Sequence, residues 1–229
     1  MRSFAVIAVA VVSLLTAGPL ANANLLLNGS FETPVVTPGT FTNFAVGSGL
    51  LTDWTVFGPA GTVVSIVSGS FTQNGVSFPA QDGTQWLDLT GLNSNSTEGV
   101  SQAVATTAGD QYQLSYYIGN TTGGGIFGSS STVDVLLNGA LAFADTNSTV
   151  SSATQNWEQF TRTFIASGAS TTIGFRNADP ASDNDNGLDN VVLTDLGPPV
   201  AGVPEPSTLL LLGSGLVGLG LAWRRRHRG

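Results

Sequence analysis

Two stretches of this sequence carry side chains whose types and spacing could do chemistry. In Gln85-Trp86-Leu87-Asp88-Leu89 the apolar phase of an extended strand falls on Leu87 and Leu89, which sends Trp86 and Asp88 together to the opposite face. An outward tryptophan beside a carboxylate suits sugar recognition: the ring stacks on C–H faces while the carboxylate accepts hydroxyl hydrogens. Tyr117, in phase with Gln111, Gln113 and Ser115, is a second candidate of the same kind. The bland alternative for both aromatics is cover by a loop. The second stretch is residues 179–190, where Asp183, Asp185, Asp189 and their asparagine neighbours offer the hard oxygen atoms that calcium prefers. Its glycine falls one place early for an EF-hand and no glutamate closes the loop, so the alternative is a solvated acidic turn.

Missing residue types bound the chemistry further. The 229-residue chain has no cysteine, and its single histidine, His227, sits in a basic C-terminal cluster. A Ser-His-Asp triad, a histidine base, a thiolate nucleophile and a His- or Cys-ligated zinc are therefore excluded from the rest of this chain. There is no lysine, and residues 24–202 set fourteen acidic residues against Arg162 and Arg176, a net charge of −12. Such a body has no electrostatic basis for binding nucleic acid or an anionic membrane surface. Glycoside hydrolysis by two carboxylates is a catalytic chemistry that needs no His, Cys or Lys. No acidic pair stands out for it, and no catalytic residue is assigned.

The elements that must position these groups read as short strands. Alternating or apolar segments at residues 52–57, 62–67, 85–89, 99–104, 111–118, 132–137, 140–144, 157–165, 171–176 and 189–194 follow an opening segment at 24–32, with Gly, Pro and Asn-Gly turn signals between them. No stretch keeps a helical period for three turns. The pattern predicts an all-β fold, an antiparallel β-sandwich over residues 24–196. Trp54 is expected in the core, and so is Trp157, which heads a strand with Phe160 and Phe164. At the N-terminus, Arg2, an apolar stretch and Ala21-Asn22-Ala23 read as a signal peptide over residues 1–23. Residues 197–202 form a Pro/Gly linker. Residues 203–229 then run through Pro204-Glu205-Pro206, an uncharged segment and Arg224-Arg225-Arg226-His227-Arg228, the order expected of a single transmembrane helix with its arginines in the cytoplasm.

Pro204-Glu205-Pro206, the glycine-interrupted apolar segment and the terminal arginines resemble a PEP-CTERM sorting signal. That resemblance implies an exosortase-type protease as partner, an intermediate anchored in the inner membrane of a Gram-negative bacterium, and a final place at the cell surface or in its exopolysaccharide matrix. A second resemblance covers the body. Asn28-Gly29-Ser30-Phe31-Glu32, Trp54, Asp82-Gly83, Trp86-Leu87-Asp88-Leu89, Gln102 and Leu188-Asp189-Asn190-Val191, in that order, look like the galactose-binding-like jelly roll of many carbohydrate-binding modules. It implies a non-catalytic saccharide-binding domain. It also implies a structural calcium ion tying the first strand to the last through Glu32 and Asp189, with Asp183 and Asp185 as reserve ligands. A purely structural matrix protein and a carboxylate-based hydrolase are the competing functions.

Overall fold

The computed structural model describes residues 23–92, 97–179 and 185–199. Nearly all of the expected signal peptide, the Pro204-Glu205-Pro206 motif, the sorting helix and Asp183 lie outside them. The described residues form thirteen strands: β1 (Phe41–Ala45), β2 (Thr55–Phe57), β3 (Val63–Ser68), β4 (Thr72–Gln73), β5 (Val76–Ser77), β6 (Gln85–Asp88), β7 (Gly99–Ala105), β8 (Gln111–Asn120), β9 (Ser131–Leu137), β10 (Ala140–Asn147), β11 (Asn156–Ile165), β12 (Ser170–Asn177) and β13 (Gly187–Gly197). They make a six-stranded sheet in the order β1-β3-β6-β13-β8-β11, a five-stranded sheet in the order β10-β9-β12-β7-β2, and the small hairpin β4-β5. The protein is an all-β antiparallel sandwich.

Alternation decides which side chains fill the sandwich. On β8, Tyr112, Leu114, Tyr116 and Ile118 are buried, while Gln111, Gln113, Ser115 and Tyr117 take the other face. They meet Val133 and Val135 of β9, Ile173 and Phe175 of β12, and Leu188, Val191 and Leu193 of β13 in one core. Each such side chain contributes about 1.5–3 kcal/mol when fully buried. Asn138 and Gly139 both adopt positive φ at the β9–β10 turn, as an Asn-Gly hairpin requires. Trp54 lies in this core, as its phase predicts.

Three expectations need correction. Residues 24–32 form bends and turns rather than a strand, although they follow β13 closely: Leu25 N–H donates to Leu193 O, and Val191 N–H to Gly29 O. The first strand is β1 instead, in a stretch read as loop. Trp157 is not in the main core, because it lies three residues from Phe160 and strand alternation places the two on opposite faces. It joins a smaller second cluster on the outside of the six-stranded sheet.

Candidate functional site

The outer face of the six-stranded sheet is ordered by register. Asn43, Ser65, Asp88, Gly187, Gly119 and Trp157 are successive neighbours across β1, β3, β6, β13, β8 and β11. One step along, Phe41, Val67 and Trp86 form a parallel row. The two glycines in the first row leave space that a neighbour fills. A Cβ on Gly187 or on Gly119 would stand 2.9 Å from the ring of Trp157. That ring therefore lies over the sheet and meets Trp86 edge-on, with centroids 5.8 Å apart.

The chain folds back over this face. The β4-β5 hairpin turns at Asn74-Gly75 and ties to the start of β11, with Gln155 N–H donating to Ser77 O. Trp86 Nε1 donates to Phe78 O at 3.1 Å, and Trp157 Nε1 to Pro79 O at 2.9 Å. Val67, Val76, Phe78, Trp86 and Phe127 form the second buried cluster, with Phe71 and Trp157 packed on it. Trp86 thus faces away from the main core as its phase requires, but it is only 2% exposed. The expected solvent-open ring is corrected to a covered one.

Beside this cluster lies a cleft of about 230 Å³, walled by Phe41, Phe71, Phe78, Trp86 and Phe127, with Asp88 and Asp185 facing it. Asp88 accepts from the Thr90 backbone N–H and hydroxyl. Burial nevertheless pushes its pKa up to about 6, against the lowering effect of those bonds. Asp185 is 2% exposed, and its Oδ2 has no hydrogen-bond partner among the described residues. Burial raises its pKa well above the usual carboxylate range, and the charges of Asp88 and Asp179 raise it further, while the Thr121 backbone N–H opposes them. The structure brings Trp86 and Asp88 together at this cleft. It adds Asp185, expected only as a reserve calcium ligand. The Asn74-Gly75 turn was the sequence signal for the covering hairpin.

The other expected site residues lie elsewhere. Tyr117 is half-buried on the same face, but it stands on β8 opposite Asp189 and Gln159 and does not line the cleft. Glu32 and Asp189 serve the two ends of one loop. Glu32 Oε1 accepts from the Thr84 and Gln85 backbone N–H groups and Oε2 from the Thr84 hydroxyl. Asp189 Oδ2 accepts from the Gln81 and Asp82 amides, and Oδ1 from the Asn190 amide. Burial lifts Asp189 to about 7, ahead of the opposing bonds from these amides. As acceptors, Glu32 Oε1 and Asp189 Oδ2 are saturated by these bonds, so the two carboxylates offer an ion one oxygen each, short of calcium's six to eight. Among the described residues no three acidic or histidine side chains gather to hold a metal.

Residues 24–194 match the family described as protein of unknown function (DUF642). The chain belongs to the DUF642 family. Behind this DUF642 domain, residues 202–226 match the PEP-CTERM protein-sorting motif. No curated protein matches the sequence. Among solved structures, the DUF642 domain is similar to a Stig cyclase from Fischerella sp. TAU, at 18% identity and a TM-score of 0.54, covering 76% of this chain and 98% of that one. It is similar to an apo cyclase from Fischerella sp. at 15% identity and a TM-score of 0.53, covering 76% and 96%. Both likenesses concern the fold alone. A CBM61 module in complex with beta-1,4-galactotriose matches at 18% identity and a TM-score of 0.44, covering 76% of this chain and 99% of that module.

Proposed function

We propose that this DUF642 protein is exported, held by its C-terminal segment until an exosortase-type protease processes it, and binds saccharide at the cell surface through the cleft beside Trp86. The sorting motif over residues 202–226 supports the first half of this reading. The second half is carried by one observation: aromatic rings and two carboxyl groups face the same small cleft. Phe41 and Phe71 are the rings of this cleft left open to a ligand; such rings cover the C–H faces of a sugar, and carboxyl oxygens accept its hydroxyl hydrogens. A volume of about 230 Å³ lies below the roughly 300–1,000 Å³ of sites for drug-sized ligands and suits a single sugar ring. Exopolysaccharide is the substrate class that a surface location would offer.

The same two carboxyl groups are what carboxylate-based glycoside cleavage needs, so cleavage is the second reading. A glycan array probed with the mature protein, followed by product analysis on each hit, separates the possibilities. Binding without shortening of the glycan supports the binding protein. Shortening that is lost in Asp88→Asn supports a hydrolase. An array without any reproducible hit overturns both and leaves a structural matrix protein.

A further inference from the structure

Resting on that reading of the cleft, we infer that the saccharide it takes carries a protonated amine. The first ground is an uncompensated acid pair. Asp185 is almost wholly buried, its Oδ2 without a partner among the described residues, and Asp88 faces the same cleft. A buried carboxylate is costly unless a cation or several donors meet it. The protein supplies donors to Asp88 from Thr90, Asn186 and Gly91, and to Asp185 from the Thr121 amide, but the charge of Asp179 adds to the excess. Among the described residues no basic side chain lines the cleft. The only two cations of the body are engaged elsewhere, Arg162 with Asp145 and Arg176 with Asp134.

The second ground is the wall. Five aromatic residues line the cleft, Phe41 and Phe71 being the open ones, and an aromatic face attracts a cation through the ring quadrupole. An ammonium group gains from both surfaces at once, whereas a neutral hydroxyl leaves the acid pair uncompensated. Calcium fits this wall poorly. It takes six to eight oxygens, and among the described residues the cleft offers the two carboxyl groups, Ser65 and Gln73 beside five rings and apolar residues. A sugar bearing one ammonium group matches both the size of the cleft and its charge.

Calorimetry on the mature protein tests this with three oligosaccharides of equal length: a β-1,4 glucosamine oligomer, its fully N-acetylated form, and a β-1,4 glucose oligomer. The expected result is a saturable single site at moderate salt, with the glucosamine oligomer bound about tenfold tighter or more. That preference should collapse in Asp185→Asn and in Asp88→Asn, and persist in Asp53→Asn, which removes an exposed acid outside the cleft. The isosteric Asn variants are compared by thermal melting first, and either one suffices if the other fails to fold. Equal binding of all three oligomers overturns the amine inference while leaving the saccharide reading intact. A preference that survives in both cleft variants overturns it too, because general attraction to an acidic protein would then explain it. Tighter binding of calcium than of the amine, lost in Asp185→Asn, would also overturn it. If none of the oligomers binds, and a glycan array is silent as well, both readings fall.

Discussion

Replacing Trp86 by alanine separates a covered ring from an open one. Were the ring exposed on a ligand face, as its phase and its acidic neighbour suggest, the melting temperature would hardly change. In the structure it is 2% exposed, stacks near Phe78 with centroids 6.2 Å apart, and meets Trp157 at 5.8 Å. Truncation of such a ring costs about 3–5 kcal/mol. It also removes the donor to Phe78 O, and a buried carbonyl left unpaired costs about 1–3 kcal/mol. Water entering from the neighbouring cleft replaces that lost donor, so we expect about 3–5 kcal/mol in total. For a domain of this size each kcal/mol shifts the melting temperature by about 2–4 °C, giving a fall of roughly 6–20 °C. Differential scanning calorimetry on the mature protein measures it. Trp86→Phe, which keeps a ring but loses the hydrogen bond, should fall by much less. A Trp86→Ala variant melting within about 2 °C of wild type would refute the second core.

Four further outcomes are expected. Asp88, Asp185 and Asp189 all bind protons more tightly folded than unfolded, and the contribution of Asp88 and Asp189 is full below about pH 4 and lost as pH rises through about 6 and about 7. Asp88 alone accounts for about 3 kcal/mol; chelator-treated protein should melt higher at pH 5 than at pH 8, and a flat or rising profile contradicts this. Gly187→Ala drives a Cβ against the Trp157 ring and should cost about 1–3 kcal/mol in chemical denaturation; an unchanged midpoint would show that the ring can move aside. A calcium ion shared by Glu32 and Asp189, completed by backbone carbonyls, should raise the wild-type melting temperature relative to a chelator, an effect lost in Glu32→Ala. Identical melts and silent calorimetry would exclude it. Replacing Pro204, Glu205 and Pro206 by alanine should leave a full-length, membrane-retained protein, and mass spectrometry showing normal C-terminal processing would remove the sorting role of those residues.

Local patterning made most of the fold legible. β8 and β9 alternate cleanly, and Asn138-Gly139 announces its hairpin, so each could be placed from a few consecutive residues. The phase of Trp86 was legible for the same reason. Its cover was not, because β4 and β5 are two residues each and too short to show alternation, leaving Asn74-Gly75 as the sole trace of the hairpin. Trp157 was misplaced by grouping it with Phe160 at a spacing that a strand cannot put on one face. The meeting of Asp88 with Asp185 depends on the pairing of Asp88 with Gly187 across β6 and β13. No local pattern encodes that long-range register, so Asp185 read as one acid among several in a polar run.

The last-made strand of the domain occupies the middle of its larger sheet. β13 sits between β6 and β8, its first residue Gly187 pairs with Asp88, and the residues just before it bring Asp185 to the cleft. A chain is synthesised from its N-terminus, so until residue 197 has emerged the sheet exists only as two separate halves, β1-β3-β6 and β8-β11, with nothing joining them. Such long-range closure is slow to form and cannot be rehearsed by the growing chain. For a protein exported as proposed, this order of emergence is useful. On that proposal the two halves of the sheet stay unjoined until residues 187–197 have followed them across, and the sorting segment comes directly behind.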